Sequence, residues 1–358
     1  MKLLVVPFFI AHQGCSHHCV FCDQVKISGE AAGIPTPEDL RARIAEYRGS
    51  GGGRGLEAAF YGGTFTALPL SVQERLLEPL QPLLATGELA SVRVSTRPDA
   101  IDPQTVAFLG RMGVRTVELG VQSMDDAVLC RAGRGHTARD AENACRLLAN
   151  GGFRVGTQLM PGLPGDTPAT ARTTLRRILS LNPDFIRIYP TLVIAGTELE
   201  RMYRRGEYVP LGIAEAVGLC KVMLHDCLRA SVPVVRIGLQ ATGELQAGGT
   251  IVAGPWHPAF RQLVEGERFF DLAALLTRDL PSGLPITLCC VPARVSDLAG
   301  QHRTNLERLR RERGVTVAAI EADPRLSPLE LRVVAEHFER TGTMLDLNYP
   351  EEDASHGL

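Results

Sequence analysis

The chain has 358 residues, which is enough for one barrel-sized domain with or without a smaller appendage. Hydrophobic residues make up 45% and charged residues 22%, the balance of an ordinary folded protein. The net charge of −2 excludes a global basic field, so any nucleic-acid site has to be a local patch. The apolar run Met1–Ile10 contains Pro7 and is only about strand length, so it predicts neither a membrane span nor a signal peptide. We expect a cytoplasmic protein without membrane contact.

Seven short runs rich in apolar and β-branched residues predict strands in the first two thirds of the chain. They are Leu3–Phe9, Glu57–Tyr61, Val92–Ser95, Thr116–Val121, Arg154–Leu159, Phe185–Tyr189 and Val234–Ile237. Helical periodicity extends over Pro37–Tyr47, Leu70–Leu84, Pro103–Met112, Thr137–Asn150, Pro168–Leu181 and Ile213–Ala230. This alternation indicates parallel strands joined by crossover helices. It predicts an α/β fold with a partial (β/α)6-type barrel and leaves a doubly wound sheet open.

The pattern changes in the Gly-rich segment Gly243–Pro258, which contains the one tryptophan, Trp256. Beyond it, helices are predicted over Ala259–Glu265 and Leu272–Asp279, and strands over Ile286–Val291 and Val315–Ile320. We therefore predict three parts: a barrel over 1–245, a small C-terminal α/β subdomain over 246–325, and a C-terminal extension over 326–358 with an acidic, mobile tail from Glu351.

Three of the nine cysteines crowd into eight residues directly after the first predicted strand. They are Cys15, Cys19 and Cys22, in the pattern C-x3-C-x2-C. Thiolates suit both iron–sulfur clusters and zinc. Three thiolates leave one iron of a cubane open, whereas a structural zinc site takes four ligands, for which His12, His17 or His18 is available. The spacing favours an iron–sulfur cluster and leaves zinc as the alternative.

Glycine-rich and polar loops follow four further predicted strands, at the end where α/β barrels build their sites. The loop residues of interest are Gly62, Gly63, Thr64, Ser95, Arg97, Gln122, Ser123, Met160, Pro161 and Gly162. Taken one at a time, each loop is equally well explained as a plain turn between a strand and a helix.

The cysteine pattern resembles the hallmark of the radical S-adenosylmethionine (SAM) superfamily, in which an aromatic residue, here Phe21, precedes the last cysteine. The resemblance implies a partial (β/α)6 barrel and a 4Fe–4S cluster on the three cysteines, whose open iron is chelated by SAM. One electron from the cluster then splits SAM into a 5′-deoxyadenosyl radical that abstracts hydrogen from a substrate. It further implies that Phe21 and the ten loop residues bind the cofactor. Thr64 departs from the glutamate that many members have in this place.

Within that superfamily the chain resembles the catalytic subunit of Elongator and its bacterial relatives. The resemblance rests on Pro7–Gln24, Tyr61–Pro69, Ser95–Asp102, Glu118–Asp125, Ile188–Tyr208 and Arg236–Leu239. It implies a modification of transfer RNA at wobble uridines, with an electron donor of the flavodoxin or ferredoxin type. Elongator enzymes use acetyl-CoA through a fused acetyltransferase domain. This sequence has no room for that domain, which leaves the use of acetyl-CoA open.

A second resemblance lies in the C-terminal part, where strand, helix, loop, helix and strand are predicted between Ile286 and Ile320. This order resembles the core of a KH domain, whose G-x-x-G loop clamps the backbone of nucleic acids. The loop here consists of Gly300, Gln301, His302 and Arg303, so an arginine replaces the second glycine. The basic helix after it includes Arg310, a candidate phosphate contact. The alternative is an ordinary α/β appendage with a solvated basic face.

Arg187 and Tyr189 near the sixth predicted strand and Arg236 in the last one are expected to face the barrel interior and to orient SAM or substrate. The leading hypothesis is a radical SAM enzyme that acts on RNA, with transfer RNA as its partner. A radical SAM enzyme for a peptide or small metabolite, and a metal-stabilised RNA-binding protein without catalysis, are the alternatives. The sequence leaves the oligomeric state open.

Overall fold

The structure is a computed structural model that describes residues 3–29, 33–50, 52–239, 243 and 248–350. The chain forms two compact units. The first consists of Met1–Leu211 and Val232–Pro255, and the second of Gly212–Ser231 and Trp256–Leu358. Among the described residues, no helix combines the length and apolarity that a bilayer-spanning segment requires.

Seven parallel strands form the main sheet of the first unit. They are β1 (Leu4–Phe9), β2 (Leu56–Tyr61), β3 (Ser91–Thr96), β4 (Val114–Gln122), β5 (Arg154–Leu159), β6 (Phe185–Ile188) and β8 (Val234–Ile237). The helices are α1 (Gln24–Ser28), α2 (Pro37–Ser50), α3 (Leu70–Leu77), α4 (Gln81–Ala85), α5 (Pro103–Arg111), α6 (Asp126–Arg131), α7 (Ala138–Asn150), α8 (Pro168–Leu179) and α9 (Glu198–Arg204). A small antiparallel pair joins β7 (Val193–Ile194) and β9 (Ile251–Ala253).

The strands of the main sheet follow one another in space as they do along the chain, in the order β1-β2-β3-β4-β5-β6-β8. A doubly wound sheet would reverse its strand order at a switch point. The uninterrupted order is that of a partial barrel, so the predicted α/β barrel is confirmed. Each of the seven predicted strands overlaps one of the observed ones.

Local sequence sets the helix starts in this unit. Thr137 caps α7 in a reciprocal capping box with Asp140, and Thr167 caps α8 with Pro168 in the first turn. The helix predicted over Leu70–Leu84 is divided: α3 gives way to a 3₁₀ turn at Glu78–Leu80 before α4 begins. Pro79 and Pro82 account for the division, because proline cannot donate the backbone hydrogen bond that a continuous helix needs.

The second unit places helices against a four-stranded sheet. Its helices are α10 (Ile213–Arg229), α11 (Phe260–Leu276), α12 (Val295–Ala299) and α13 (Thr304–Arg313). Its strands are β10 (Pro285–Cys290), β11 (Thr316–Ala322), β12 (Glu330–Ala335) and β13 (Phe338–Thr343). They lie in the order β11-β10-β12-β13, with β10 and β11 parallel and the other pairs antiparallel. Phe269, Leu272, Leu288 and Leu331 belong to its buried core.

Residues 260–276 form one helix, although two were predicted, over Ala259–Glu265 and Leu272–Asp279. Gly266 lies between the two predicted segments, within the helix and at a close helix contact. A Cβ atom there would lie 3.3 Å from the Asp297 carbonyl oxygen, and the Asn305 side chain donates a hydrogen bond to the Gly266 carbonyl at 2.8 Å. The glycine therefore serves packing rather than helix termination.

The division of the chain also differs from the three predicted parts. Helix α10 belongs to the second unit and not to the barrel. Strands β12 and β13 are part of its sheet rather than an extension, because β12 pairs with β10 and completes the surface that covers the core. The predicted boundary at 245/246 and the tail from Glu351 lie outside the described residues.

We expect Gly156→Ala to destabilise the first unit by about 1–3 kcal/mol, the cost of overpacking a core. Gly156 lies opposite Phe185 in the β5–β6 register, and a Cβ atom would lie 2.2 Å from the buried Phe185 ring. Gly110→Ala is the matched control, since its Cβ would meet Phe153 at an ordinary 3.8 Å in the last turn of α5. Urea unfolding followed by circular dichroism measures both variants. Equal midpoints for the two would contradict the packing argument.

Candidate active site

A cavity of about 730 Å³ opens at the carboxyl ends of the strands in the first unit. The cysteine loop after β1 forms one wall, and residues from β2 to β8 form the rest. Val5, Pro7 and Phe9 on β1 line the cavity together with Arg236 on β8. The two edge strands of the sheet thus face a common space, which shows that the sheet curls into an open barrel. The volume lies within the range of small-molecule and cofactor sites.

The cysteine loop is fixed by backbone contact with the loop after β2. The Gln13 carbonyl accepts a hydrogen bond from the Thr64 amide at 2.9 Å, and the Gly62 carbonyl accepts one from the His12 amide at 2.9 Å. Gly14 has φ +72°, and a Cβ atom there would lie 2.3 Å from the Thr64 carbonyl oxygen. A Cβ atom on Gly63 would lie 2.5 Å from the Gln13 carbonyl oxygen. Only glycine permits this approach of two backbones.

Each of the three sulfurs has a polar partner. The Arg134 Nη1 donates a hydrogen bond to the Cys19 Sγ at 3.1 Å. The Gln24 side-chain amide donates to the Cys22 Sγ at 3.5 Å, and the Thr64 hydroxyl lies 3.4 Å from the Cys15 Sγ. Hydrogen bonds to sulfur stabilise thiolate ligands and tune the potential of an iron–sulfur cluster.

The three thiols fit a cluster better than a single ion. No group of three or more His, Cys, Asp or Glu side chains in the described part of the chain forms a site for a metal ion. A cubane takes each thiolate on a different iron, so its ligands need not converge on one point. His12, a candidate fourth ligand of zinc, already accepts a hydrogen bond at Nε2 from the Gln24 amide at 2.8 Å.

Burial, with Cys19 and Cys15 nearby, raises the pKa of the Cys22 thiol to about 12. Three thiolates close together are therefore unfavourable without a positive core. The irons of a cluster supply that charge and stabilise the thiolate form. The donor set, the partners of the sulfurs and the electrostatics all fit a 4Fe–4S cluster.

Most of the predicted cofactor-binding residues line the same cavity. They are Phe21, Gly62, Gly63, Thr64, Ser95, Arg97, Gln122 and Met160. Arg97 binds Asp99 through Nε and Nη2, at 2.9 Å each, while its buried Nη1 has no hydrogen-bond partner. Gln122 has φ +69° at an irregularity between β4 and β5. A strained residue and an unused guanidinium donor in one cavity are typical of a ligand site.

Three of the predicted residues, Ser123, Pro161 and Gly162, do not line the cavity. The Ser123 hydroxyl accepts a hydrogen bond from the Asp125 amide at 3.1 Å. Gly162 donates its amide to Asp166 at 2.9 Å and accepts a hydrogen bond from the Tyr208 hydroxyl at 2.6 Å. Their hydrogen bonds stabilise the loops after β4 and β5, which adjoin Gln122 and include Met160.

A buried chain of charges joins strands β2, β3, β4 and β6 and reaches the lining of the cavity at Glu118 and Arg187. Glu57 on β2 and Glu118 on β4 are 2% and 5% exposed. Arg93 on β3 bridges them, with Nη2 2.6 Å from Glu57 Oε2 and Nη1 2.5 Å from Glu118 Oε1. Arg187 on β6 donates to the same Glu118 oxygen at 2.9 Å. Two carboxylates thus balance two guanidinium groups, which makes their burial tolerable.

This chain of charges ends at two tyrosines of the cavity. Arg187 donates to the Tyr61 hydroxyl at 3.3 Å and to the Tyr189 hydroxyl at 3.2 Å. Burial and the Glu118 carboxylate raise the pKa of Tyr61 to about 12, so its phenol stays protonated at neutral pH. Burial lowers the pKa of Arg187, but Glu118 and the tyrosines outweigh it, and the net shift is upward. Arg187, Tyr189 and Arg236 line the cavity, as predicted.

Several residues of the cavity and its floor escaped the sequence analysis. They are Tyr61, Arg93, Glu57, Glu118 and Arg134. Glu57 is the one acidic residue of the apolar strand β2, and Glu118 lies in the middle of β4 between Val117 and Leu119, which is a sign of inward charge. Arg134 stands between Gly133 and Gly135, whose positive φ angles mark a tight loop against the cysteine loop. Neither sequence pattern predicts which residues these side chains contact.

The predicted RNA-binding loop lies in the second unit, between α12 and α13. His302 and Arg303 both have left-handed backbone angles, with φ +50° and +63°. Arg303 and Arg310 are exposed and have no ion pair within the described residues. Arg308, in contrast, pairs with Glu267 at 2.5 Å and packs on the Phe270 ring at 3.8 Å. Two of the basic side chains are thus available to a ligand, and Arg308 is part of the packing.

A curled sheet of parallel strands, with a three-cysteine loop and a ligand cavity at its carboxyl ends, defines a cofactor-dependent barrel enzyme. Residues 9–178 match the Radical SAM superfamily, and residues 183–268 match the Radical SAM C-terminal domain. The chain belongs to the radical SAM superfamily. It is an iron–sulfur enzyme whose cofactors are a 4Fe–4S cluster and SAM.

Its relatives include enzymes of transfer RNA. The tRNA uridine(34) acetyltransferase of Methanocaldococcus jannaschii is 34% identical over 182 residues, which are 45% of this chain and 34% of that protein. Elongator complex protein 3 of Mus musculus is 27% identical over 176 residues, which are 43% of this chain and 32% of that protein. The chain thus spans about a third of the length of these relatives.

One solved structure has the same fold over most of the chain. It is archaeal Methanocaldococcus infernus Elp3 with an N-terminal deletion, with a TM-score of 0.61 and 25% identity. The superposition covers 77% of this chain and 64% of that chain.

We expect Glu118→Gln to lower the stability of the first unit by about 3 kcal/mol, because it leaves Arg93 and Arg187 short of a buried negative charge. Glu198→Gln is the control, since Glu198 pairs with Arg201 and Arg205 on the exposed face of α9 and should change stability by less than about 1 kcal/mol. Urea unfolding followed by circular dichroism separates the two. An unchanged midpoint for the Glu118 variant would show that the charge chain is dispensable.

Proposed function

We propose that this protein is a radical SAM enzyme that modifies RNA, with transfer RNA as the substrate class. The observation that carries the proposal is the cavity in which three cysteines with polar partners face an unused arginine donor and an inner row of charges. The names of the relatives support the choice of transfer RNA. A reduced flavodoxin or ferredoxin is the proposed electron donor.

The cysteines Cys15, Cys19 and Cys22 are the proposed cluster ligands. When bound, the cluster and SAM together supply a carbon-centred radical that abstracts hydrogen from a substrate. Arg134 holds the Cys19 sulfur and, through Nη2, the Gly120 carbonyl at 2.5 Å, so it ties the cysteine loop to the end of β4. The backbone around Gly62 and Gly63 is the proposed site for the SAM amino group, because glycine leaves room for close approach.

Arg97 is the proposed partner of the SAM carboxylate. Arg97 lines the cavity, and its Nη1 is buried without a described acceptor, whereas Nε and Nη2 are held by Asp99. A carboxylate at this place would satisfy a donor that otherwise costs free energy to bury. Gln122 and Met160 lie further along the wall, where we place the adenosine part.

The charged floor of the cavity is proposed to position the substrate. Arg187 is held by Glu118 and donates hydrogen bonds to the hydroxyl groups of Tyr61 and Tyr189. A rigid floor restricts the substrate to one orientation relative to the radical, which a reactive intermediate requires for selectivity.

The loop at Gly300 to Arg303 and the adjacent Arg310 are the proposed RNA contacts of the second unit. Arg303 and Arg310 are exposed and unpaired within the described residues, as phosphate-binding side chains have to be. The order strand, helix, loop, helix, strand of a KH core is present, from β10 to β11. KH domains use this loop on single-stranded backbone.

The cofactor assignment is tested on protein purified and reconstituted without oxygen. We expect about four irons and four sulfides per chain, and release of 5′-deoxyadenosine when SAM and dithionite are added. Cys19→Ala should lose both properties, because a cubane held by two thiolates is labile. Cys130→Ala is the matched control, since Cys130 is exposed and does not line the cavity. Colourless wild-type protein with one zinc would refute the assignment.

The RNA assignment is tested by the affinity for transfer RNA as a function of salt. Arg303→Glu with Arg310→Glu should weaken binding by more than about tenfold and reduce the salt slope by about 2, one for each lost phosphate contact. Arg111→Glu with Arg139→Glu makes the same charge change on exposed residues of the first unit and is the control. If both double variants lose affinity to the same extent, the proposed contacts are wrong. They are also wrong if the wild type shows no salt-dependent binding.

A further inference from the structure

Two arginines lie side by side in the wall of the cavity. Arg187 on β6 and Arg236 on β8 are direct partners in the parallel register of these strands. Directly opposite residues of neighbouring strands project from the same face of a sheet. Both side chains border the cavity, as this rule requires.

The two guanidinium groups differ in what they bind. Arg187 is neutralised by Glu118, which lies 2.9 Å away and also binds Arg93. The Arg236 side chain makes no hydrogen bond or ion pair with any residue that the structure describes. The four residues of the buried chain, two acids and two arginines, already balance one another, so neither of these two carboxylates compensates Arg236.

The other arginines of the cavity are also engaged. Arg97 binds Asp99 with two donors, and Arg134 binds the Cys19 sulfur and the Gly120 carbonyl. Arg236 is thus the one arginine of the lining without a described partner. The lining also contains the apolar β1 side chains Val5, Pro7 and Phe9, which cannot accept a hydrogen bond.

We propose that Arg236, next to Arg187, binds an oxyanion group of the substrate, a carboxylate or a phosphate. A guanidinium group offers donors in a planar fork that match two oxygens at once, and it is strongest as a receptor where apolar neighbours reduce competition from water. Arg187, whose charge Glu118 compensates, contributes its buried Nε, which has no hydrogen-bond partner among the described residues. Arg236 determines which substrates bind, by requiring a negative group at a fixed place in the cavity.

This assignment deepens the proposed function, because it concerns the substrate of the same cavity. A phosphate would come from a nucleotide and a carboxylate from a small acid or an acyl co-substrate. Both groups are oxyanions that Arg236 would recognise in the same way. The affinity of the protein for inorganic phosphate compared with its affinity for acetate distinguishes them.

The experiment titrates the reconstituted full chain with sodium phosphate and with sodium acetate by calorimetry, at an ionic strength held constant with chloride. Saturable binding of at least one anion is expected. Arg236→Gln should weaken that binding by about tenfold, the loss of one charge-assisted pair of hydrogen bonds. Arg236→Lys keeps the charge without the planar fork, so its anion affinity should lie between those of the wild type and the Arg236→Gln variant. Tighter phosphate indicates a nucleotide, and tighter acetate indicates a carboxylate.

Arg201→Gln is the matched control, because Arg201 pairs with Glu198 on the exposed face of α9 and does not line the cavity. Its anion affinity should stay within about twofold of the wild type. Each titration is repeated with saturating SAM. Absence of saturable binding, equal binding by the Arg236→Gln variant, or complete displacement of the anion by SAM would overturn the proposal.

Cleavage of SAM by the wild type is measured in the same preparation. If the wild type binds an anion through Arg236 and does not cleave SAM, the proposed function fails and the anion site stands. If it cleaves SAM and binds no anion, the anion site fails alone.

Discussion

Close backbone contact between the cysteine loop and the loop after β2 is the constraint on which the site depends. The two loops continue the pairing of β1 and β2 beyond the strands, through the hydrogen bonds of His12 and Thr64. Gly14 and Gly63 permit this contact because a side chain at either place would overlap a carbonyl oxygen. The loop that carries the cysteines is thereby joined to the loop proposed to receive SAM, and a shift of one would move the other.

The barrel interior contains charged side chains next to the cavity. Active sites of barrel enzymes lie at the carboxyl ends of the strands, where polar groups face the ligand. The charges here are those of Glu57, Arg93, Glu118 and Arg187, which cancel at short range. The compensated row supports Tyr61 and Tyr189, whereas Arg236 has no counterion among the residues that the structure describes. The polar interior therefore contributes positioning and selectivity more than stability.

The second unit has a separate core and a different use of arginine. Arg308 is packed on Phe270 and paired with Glu267, so its charge is spent within the unit. Arg303 and Arg310 on the same helix and its preceding loop remain exposed. A run of basic residues in a sequence can thus contain both packed, paired side chains and exposed ones, and only the tertiary structure distinguishes them.

The sequence by itself determined the α/β class, the seven strands of the barrel and the three cysteines. Hydrophobic periodicity and the spacing of Cys15, Cys19 and Cys22 are local properties that survive without knowledge of partners. Local signals failed over residues 260–276, which form one helix instead of two, and for strands β12 and β13, which complete a sheet begun by β10. The sequence also singled out Arg187, Tyr189 and Arg236 as inward residues, without their partners.

Only the tertiary structure decided which groups meet. Arg134 reaches Cys19 across more than a hundred residues of chain, and Glu118 joins arginines from two other strands. Ser123, Pro161 and Gly162 do not line the cavity, although they follow the same strands as Gln122 and Met160, which do. The physical reason is that strand ends are brought together by long crossover connections, so the distance between two side chains is set by the sheet and not by their spacing in the chain.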